Sequence, residues 1–151
     1  MGPGPSDVHP RVLSALSRPT IGHLDPQFID LMESIKKLLR SAFKTNNRLT
    51  LPLSAPGSAA MEAAFANLIE PGDKVIICIN GVFGGRMAEN VVRMGGDLIT
   101  IEDEWGKAVC GDKLETALKE NPDTKLVGFV HAETSTGVRS DVKTLCEIAR
   151  E

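Results

Sequence analysis

Three short segments combine small, hydroxyl-bearing and aromatic residues in a way that suits ligand binding. Each joins a strand-like stretch to a helix or to the next element of the chain. Such segments can bind an anion through backbone N–H groups, a flat partner through an aromatic ring, or a polar ligand through hydroxyls. The three segments are SAPGSAA at 54–60, NGVFGGR at 80–86 and HAETSTGV at 131–138.

The first segment has very little side-chain bulk at the point where a helix is predicted to begin. The start of a helix carries unpaired N–H groups and a partial positive charge. Bare backbone around Gly57 and Ser58 therefore predicts a phosphate site. The alternative is a tight strand-to-helix turn in which Gly57 and Ser58 act only as caps. The residue types leave both interpretations open.

The other two segments also have a structural and a ligand-binding interpretation. Phe83 stands among three glycines. It is either a core residue beside a flexible turn or a ring held exposed for stacking against another flat ring. The hydroxyl cluster around Thr134 either caps the next helix or forms hydrogen bonds with a polar ligand.

The order of strands and helices after residue 70 predicts how these segments are positioned. Strands are predicted at 74–79, 97–102 and 125–132, and helices at 58–68, from the loop at 80–86 to Met94, at 112–120, and from Ser140 to the end. This alternation predicts an α/β fold with a mostly parallel sheet flanked by helices. Ligands bind such sheets in the loops that follow the strands, so we expect the three segments to share one rim.

The first part of the chain precedes this alternation of strands and helices. Residues 1–25 are interpreted as an N-terminal arm, and 26–151 as one incomplete large domain. Asp25 as a cap and Pro26 in the first turn predict an amphipathic helix over 26–44. Residues 48–54 are a short strand candidate, although they contain a proline.

Composition excludes several classes of function. The net charge is −3, aromatic residues make up 4% of the chain, and basic residues form no run, which argues against a nucleic-acid partner. No apolar run is long enough to span a membrane and no signal peptide is visible, so we predict a cytoplasmic protein. Three widely spaced cysteines predict buried or half-buried thiols, and the scattered histidines predict no metal site.

The combination of motifs resembles one known family over nearly the whole chain. The matching stretches are GPGPS at 2–6, PTIGHLDPQF at 19–28, SAPGSAAMEAAFANLIEPGD at 54–73, INGVFGGR at 79–86 and HAETSTGV at 131–138. They resemble the class V, fold type I aminotransferases that depend on pyridoxal 5'-phosphate. The most similar branch is that of the alanine–glyoxylate and serine–glyoxylate (serine–pyruvate) enzymes.

The resemblance implies roles for five residues. Gly57 and Ser58 correspond to the turn that binds the cofactor phosphate, and Phe83 corresponds to the aromatic residue that stacks on the pyridine ring. Thr134 corresponds to the hydroxyl that bonds near the phenolic oxygen of the cofactor. Gly4, with the two residues before it, corresponds to a stretch that lines the substrate side.

The resemblance also implies groups that these residues do not supply. In the family an Asp pairs with the pyridinium nitrogen, a Lys forms the Schiff base and an Arg binds the substrate carboxylate, and each is expected beyond Glu151. Nine lysines occur in the chain, and none matches the Schiff-base motif, so no catalytic residue is assigned. We therefore expect an N-terminal fragment, truncated before that lysine and inactive alone.

Substrates and partners follow from the same resemblance. It implies transamination of a small amino acid, alanine or serine, with glyoxylate to give glycine and a new 2-oxo acid. It also implies a homodimer. Two alternatives remain at this point: another class V enzyme of the lyase or desulfurase type, or a non-catalytic module that uses the sheet to bind a nucleotide or a partner.

Overall fold

The computed structural model describes Gly4 and residues 7–150. The chain divides into two units, one ending at Ser54 and the other beginning at Ala55. This division lies downstream of the predicted boundary between an arm over 1–25 and a domain over 26–151. Those two assignments concern the complete protein and stay predictions.

The N-terminal unit contains two helices, α1 (Pro10–Leu16) and α2 (Pro26–Phe43). The prediction for α2 is confirmed: Asp25 Oδ1 accepts a hydrogen bond from Gln27 N at 2.8 Å. Lys44 ends the helix in the left-handed conformation, with φ of 50°. No residue of α2 is buried, so the apolar face of this helix is not part of a hydrophobic core in the described structure.

The strand predicted over 48–54 is wrong. The segment forms no ladder; instead Thr50 N donates to Arg48 O at 3.1 Å and its hydroxyl donates to Asn47 O at 2.8 Å. Pro52 has no N–H to offer a neighbouring strand, and Leu49 is exposed. Local turn bonds therefore replace strand pairing here.

The C-terminal unit is an α/β structure, as the sequence predicts. Its elements are α3 (Gly57–Leu68), β1 (Lys74–Ile79), α4 (Val82–Arg93), β2 (Asp97–Glu102), α5 (Gly111–Glu120), β3 (Leu126–Gly128), β4 (Ala132–Glu133), β5 (Val138–Arg139) and α6 (Val142–Ile148). The main sheet has the order β2–β1–β3 and is parallel throughout. A separate antiparallel pair joins β4 to β5.

Alternating side chains of β1 enter two hydrophobic clusters, one on each face of the sheet. Val75 and Ile77 pack with residues of α3 and α4, whereas Ile76 and Cys78 pack with residues of α5 and α6. All four side chains are fully buried. A strand covered on both faces needs a continuous apolar run, and this is why KVIICI could be identified from sequence.

Three predicted boundaries are wrong. The segment 80–86 is mostly helical rather than a loop, because α4 already begins at Val82. The strand predicted over 125–132 ends at Gly128, and the chain continues into the β4–β5 hairpin. The last helix begins at Val142 rather than Ser140, because the carboxylate of Asp141 accepts a bond from Thr144 N at 3.4 Å and caps it.

The three cysteines are free thiols, one buried and two partly exposed. Burial raises the pKa of the Cys78 thiol to about 12, and the negative charge of Asp103 adds to this effect. None of the helices within the described residues is both long and apolar enough to cross a membrane.

We expect Cys78 to resist alkylation in the folded protein. At pH 8 its thiolate fraction is on the order of a thousandfold lower than that of an ordinary cysteine, and the thiolate is the reactive species. Iodoacetamide labelling followed by mass spectrometry should modify Cys110 and Cys146 first. Denatured protein is the control and should label at all three positions; rapid native labelling at Cys78 would contradict its burial.

Candidate functional site

The start of α3 is open. Gly57 is the first helical residue, and the cap residue is Pro56. The alternative interpretation, in which Gly57 and Ser58 act as caps, is therefore wrong. Pro56 has no side-chain donor or acceptor, and no side chain in the described part of the molecule caps this helix. A Cβ atom added to Gly57 would have no atom within 4 Å. The first turn of α3 therefore leaves backbone N–H groups accessible to an anion.

Arg86 connects the start of α3 to the first turn of α4. Its Nη1 atom lies 3.5 Å from Ser58 Oγ, to which it donates. Its guanidinium also lies over the ring of Phe83, 5.0 Å from the ring centroid, which is a cation–π distance. Phe83 is half-buried. The predicted phosphate residue and the predicted stacking ring are thus joined through one cation.

Residues about fifty positions further along the chain cap the start of α4. Gly81 precedes the helix and has no side chain for capping. Instead Val82 N donates to Ser135 Oγ at 3.0 Å, and Phe83 N and Gly84 N donate to Glu133 Oε2 at 3.0 and 3.3 Å. The first three N–H groups of α4 are therefore satisfied by two residues of the β4–β5 hairpin.

Glu133 is 0% exposed, and its second oxygen accepts hydrogen bonds from the turn that follows it. Glu133 Oε1 accepts from Ser135 N at 3.3 Å and from Ser135 Oγ at 2.6 Å. Thr134 stands between these two residues and is exposed. Two interpretations of the hydroxyl cluster were open, and the one in which it caps the next helix is wrong. Asp141 caps α6, whereas Ser135 helps to cap α4. Hydrogen bonding to a polar ligand stays a prediction.

Contacts between neighbours therefore bring together the three segments that the sequence singled out. Ser58 contacts Arg86, Arg86 contacts Phe83, and the backbone of Phe83 binds the turn that carries Thr134. The cluster made of these residues and Glu133 is called the α4 cluster below. It lies at the carboxyl end of β1, where ligands bind in open parallel sheets.

Asn80 holds a second loop against this end of the sheet. It is fully buried, and its Nδ2 donates to Lys107 O at 2.8 Å. The main-chain carbonyl of Asn80 accepts a hydrogen bond from the hydroxyl of Thr136 at 3.5 Å. Its Oδ1 has no hydrogen-bond partner within the described residues. Asn80 thus joins the loop after β2 to the turn that carries Thr134.

Sequence reasoning missed the roles of Glu133, Arg86 and Asn80. One signal for Glu133 was present, because Gly81 puts no side chain where a capping Ser, Thr, Asp or Asn is usual. A helix that lacks a local cap needs a distant one if its start is buried. The partner could not be identified without the fold, because the two segments are far apart along the chain.

Gly4 is not a member of the α4 cluster. It is exposed, has φ of 156° and belongs to the N-terminal unit. The two residues before it lie outside the described residues. Its substrate-binding role therefore stays a prediction. Within Gly4 and 7–150, no cluster of three or more His, Cys, Asp or Glu side chains could hold a metal ion.

Comparison with known proteins places these motifs in one family. Residues 8–151 match the family model described as aminotransferase class V. The chain is 38% identical over 150 residues to the (S)-ureidoglycine–glyoxylate transaminase of Bacillus subtilis, covering 99% of the chain and 36% of that protein. It is 34% identical to the alanine–glyoxylate aminotransferase of Drosophila melanogaster, covering all of the chain and 38% of that protein.

The fold agrees with the same family. The crystal structure of an alanine–glyoxylate aminotransferase from Nostoc sp. superimposes with a TM-score of 0.94 and 45% identity, over 99% of this chain and 39% of that one. The chain thus spans between a third and two-fifths of the length of these relatives.

Proposed function

This chain belongs to the class V aminotransferase family, and on that basis we propose that the complete protein is a pyridoxal-phosphate-dependent aminotransferase. It transfers the amino group of a small amino acid to glyoxylate, giving glycine and a 2-oxo acid. Glyoxylate is proposed as the acceptor because the Bacillus subtilis and Drosophila melanogaster relatives are both named as glyoxylate aminotransferases. Alanine or serine is the proposed donor, as the sequence motifs imply.

The observation that carries this proposal is the chain of contacts in the α4 cluster. The open start of α3 suits the phosphate, because its N–H groups and partial positive charge favour a dianion. The ring of Phe83 suits stacking against the pyridine ring, because it is half-buried and is linked through Arg86 to the open start of α3. The exposed hydroxyl of Thr134 suits a hydrogen bond to an oxygen on that ring.

When bound, the cofactor supplies an electron sink for the carbanion formed at the substrate. Residues of this chain bind and orient it: Gly57 and Ser58 at the phosphate, Phe83 on the ring face and Thr134 at the ring oxygen. The lysine that moves the proton is proposed to lie beyond Glu151, as are the partner of the pyridinium nitrogen and the arginine for the substrate carboxylate. We therefore propose that residues 1–151 alone do not catalyse transamination.

The test is glycine formation. The complete protein, supplied with pyridoxal phosphate, glyoxylate and either L-alanine or L-serine, should form glycine well above a no-protein control, measured by chromatography of the derivatised amino acids. The isolated chain of 151 residues should not. Glycine formation by that isolated chain would overturn the proposed position of the lysine. No glycine from the complete protein with any donor would overturn the proposed function.

A second donor is favoured by one observation, the similarity to an enzyme named for (S)-ureidoglycine. Competition between L-alanine, L-serine and (S)-ureidoglycine at equal concentration, read as the ratio of kcat/KM values, distinguishes these donors. The desulfurase alternative predicts that L-cysteine is converted to alanine, with sulfide released once dithiothreitol is added to reduce the sulfane sulfur. The lyase alternative predicts elimination products from the amino acid. Separate incubations with L-cysteine or L-serine and without glyoxylate test these alternatives.

We also propose a cytoplasmic homodimer. The support for a dimer is α2, whose apolar side chains include the exposed Leu38 and Phe43. An exposed apolar face on a helix is typical of a protein–protein interface. Sedimentation of the complete protein would give the oligomeric state.

A further inference from the structure

Glu133 is a buried carboxylate whose acceptor capacity is fully used. Each oxygen accepts two hydrogen bonds: Oε2 from Phe83 N and Gly84 N, and Oε1 from the backbone N–H and the hydroxyl of Ser135. Every one of these partners donates. The site therefore suits an ionised carboxylate, which only accepts, and does not suit a side-chain amide, one end of which only donates.

The bonds of this carboxylate join two backbone segments that carry different ligand-facing groups. On one side is the N–H group of Phe83, the residue proposed to stack on the cofactor ring. On the other is Ser135, which directly follows Thr134, the residue proposed to bond an oxygen of the same ring. Phe83 and Glu133 are fifty positions apart in sequence, so no local structure fixes their separation.

The backbone around Glu133 is shaped to hold it in one position. A Cβ atom at Gly81 would lie 2.4 Å from Glu133 Cγ and 2.5 Å from Cδ. A Cβ atom at Gly84 would lie 2.9 Å from the Cα of Ile79, so the start of α4 is also pressed against β1. The carboxylate thus has the closely packed start of α4 on one side and a short turn on the other.

We propose that Glu133 is a positioning residue that sets the distance between the Phe83 ring and the Thr134 hydroxyl on the bound cofactor. The proposal rests on the proposed function, since it assumes that both residues meet one cofactor. Glu133 itself touches no substrate. It acts by holding α4 and the β4–β5 turn at one separation, so that the ring is stacked and its oxygen is bonded at the same time.

The test uses the complete protein and the variant Glu133→Gln, which keeps the size of the side chain. The cofactor-free wild-type protein is first titrated with pyridoxal phosphate. Visible absorbance and circular dichroism give the cofactor Kd and the signal of the bound ring. We expect the variant to bind the cofactor on the order of tenfold more weakly, because an amide N–H₂ must face backbone donors. Its visible circular dichroism band, which reports the asymmetric environment of the ring, should weaken, and kcat should fall more than KM rises.

Asp141→Asn is the matched control. Asp141 also caps a helix with its carboxylate, accepting from Thr144 N and from the hydroxyl of Thr144 at 2.7 Å, but it lies outside the α4 cluster. We expect this variant to lower the melting temperature without changing the cofactor Kd or the circular dichroism band. A cofactor Kd that rises equally in both variants would show that Glu133 acts only as an ordinary helix cap, and it would overturn the proposal.

The outcomes separate two failures. If wild type neither binds the cofactor nor transaminates, the proposed function fails and the positioning role with it. If wild type does both and Glu133→Gln has the same Kd and the same band, only the positioning role fails. Should Glu133→Gln not fold, Ser135→Ala decides, since it removes one donor to Glu133 and the acceptor for Val82 N. An unchanged Kd and band in that variant would equally overturn the proposal.

Discussion

Replacing Gly81 by alanine is expected to lower the free energy of unfolding of the C-terminal unit by about 3 kcal/mol. The new Cβ would overlap the side chain of Glu133 and lie 2.7 Å from Ser135 Oγ. The strain does not come from backbone conformation, because the φ of Gly81 is 171°, which any residue adopts. To relieve the overlap, Glu133 must move and leave the N–H groups of Phe83 and Gly84 buried without acceptors.

Denaturant unfolding without cofactor measures this loss, and Gly85→Ala is the control within the same helix. A Cβ at Gly85 would meet no atom within 4 Å. Alanine is favoured over glycine in a helix, so this variant should be more stable by about 0.5–1 kcal/mol. If Gly81→Ala and Gly85→Ala had equal stabilities, the packing of Glu133 against Gly81 would be refuted.

Substituting Ser58 by aspartate should weaken cofactor binding by at least about a hundredfold while leaving the fold intact. A carboxylate in the first turn of α3 interacts favourably with the helix dipole, so folding should gain about 0.3–1 kcal/mol. The same carboxylate would repel the proposed phosphate at a few ångströms, by about 3 kcal/mol or more. Arg86, which already donates to Ser58, would hold the new carboxylate at the start of the helix.

The neutral variant Ser58→Asn separates charge from size. It resembles aspartate in shape, so we expect its cofactor Kd to rise far less than that of Ser58→Asp. The melting temperature of each variant without cofactor checks the fold. Equal affinity of the two variants would show that the phosphate does not bind at the start of α3, and the cofactor placement proposed for Gly57 and Ser58 would have to be abandoned.

Elements with a strong local pattern could be predicted from sequence. The segment 74–79 is β1, because its five consecutive apolar residues after Lys74 suit a strand that is covered on both faces. The helix over 26–44 was predicted from its period and from Asp25 and Pro26, and it is α2 within one residue. The fold class followed from the alternation of such elements, and the family from five short motifs in order.

Elements whose ends depend on distant partners could not be predicted. The strand expected over 125–132 pairs with β1 only as far as Gly128. The segment 80–86 was interpreted as a loop because of its glycines, yet Gly84 lies in a helix, where its missing Cβ lets α4 approach β1. Here glycine serves close packing, which leaves no local pattern in the sequence.

The α/β class, the central strand, the long N-terminal helix and the family could be identified from the amino-acid sequence, because they depend on residues that are close together along the chain. The bonds that hold the candidate site together became visible only in the folded chain. A helix start without its own cap is satisfied by a carboxylate fifty residues away, since a buried N–H group requires an acceptor but does not specify where along the chain it lies.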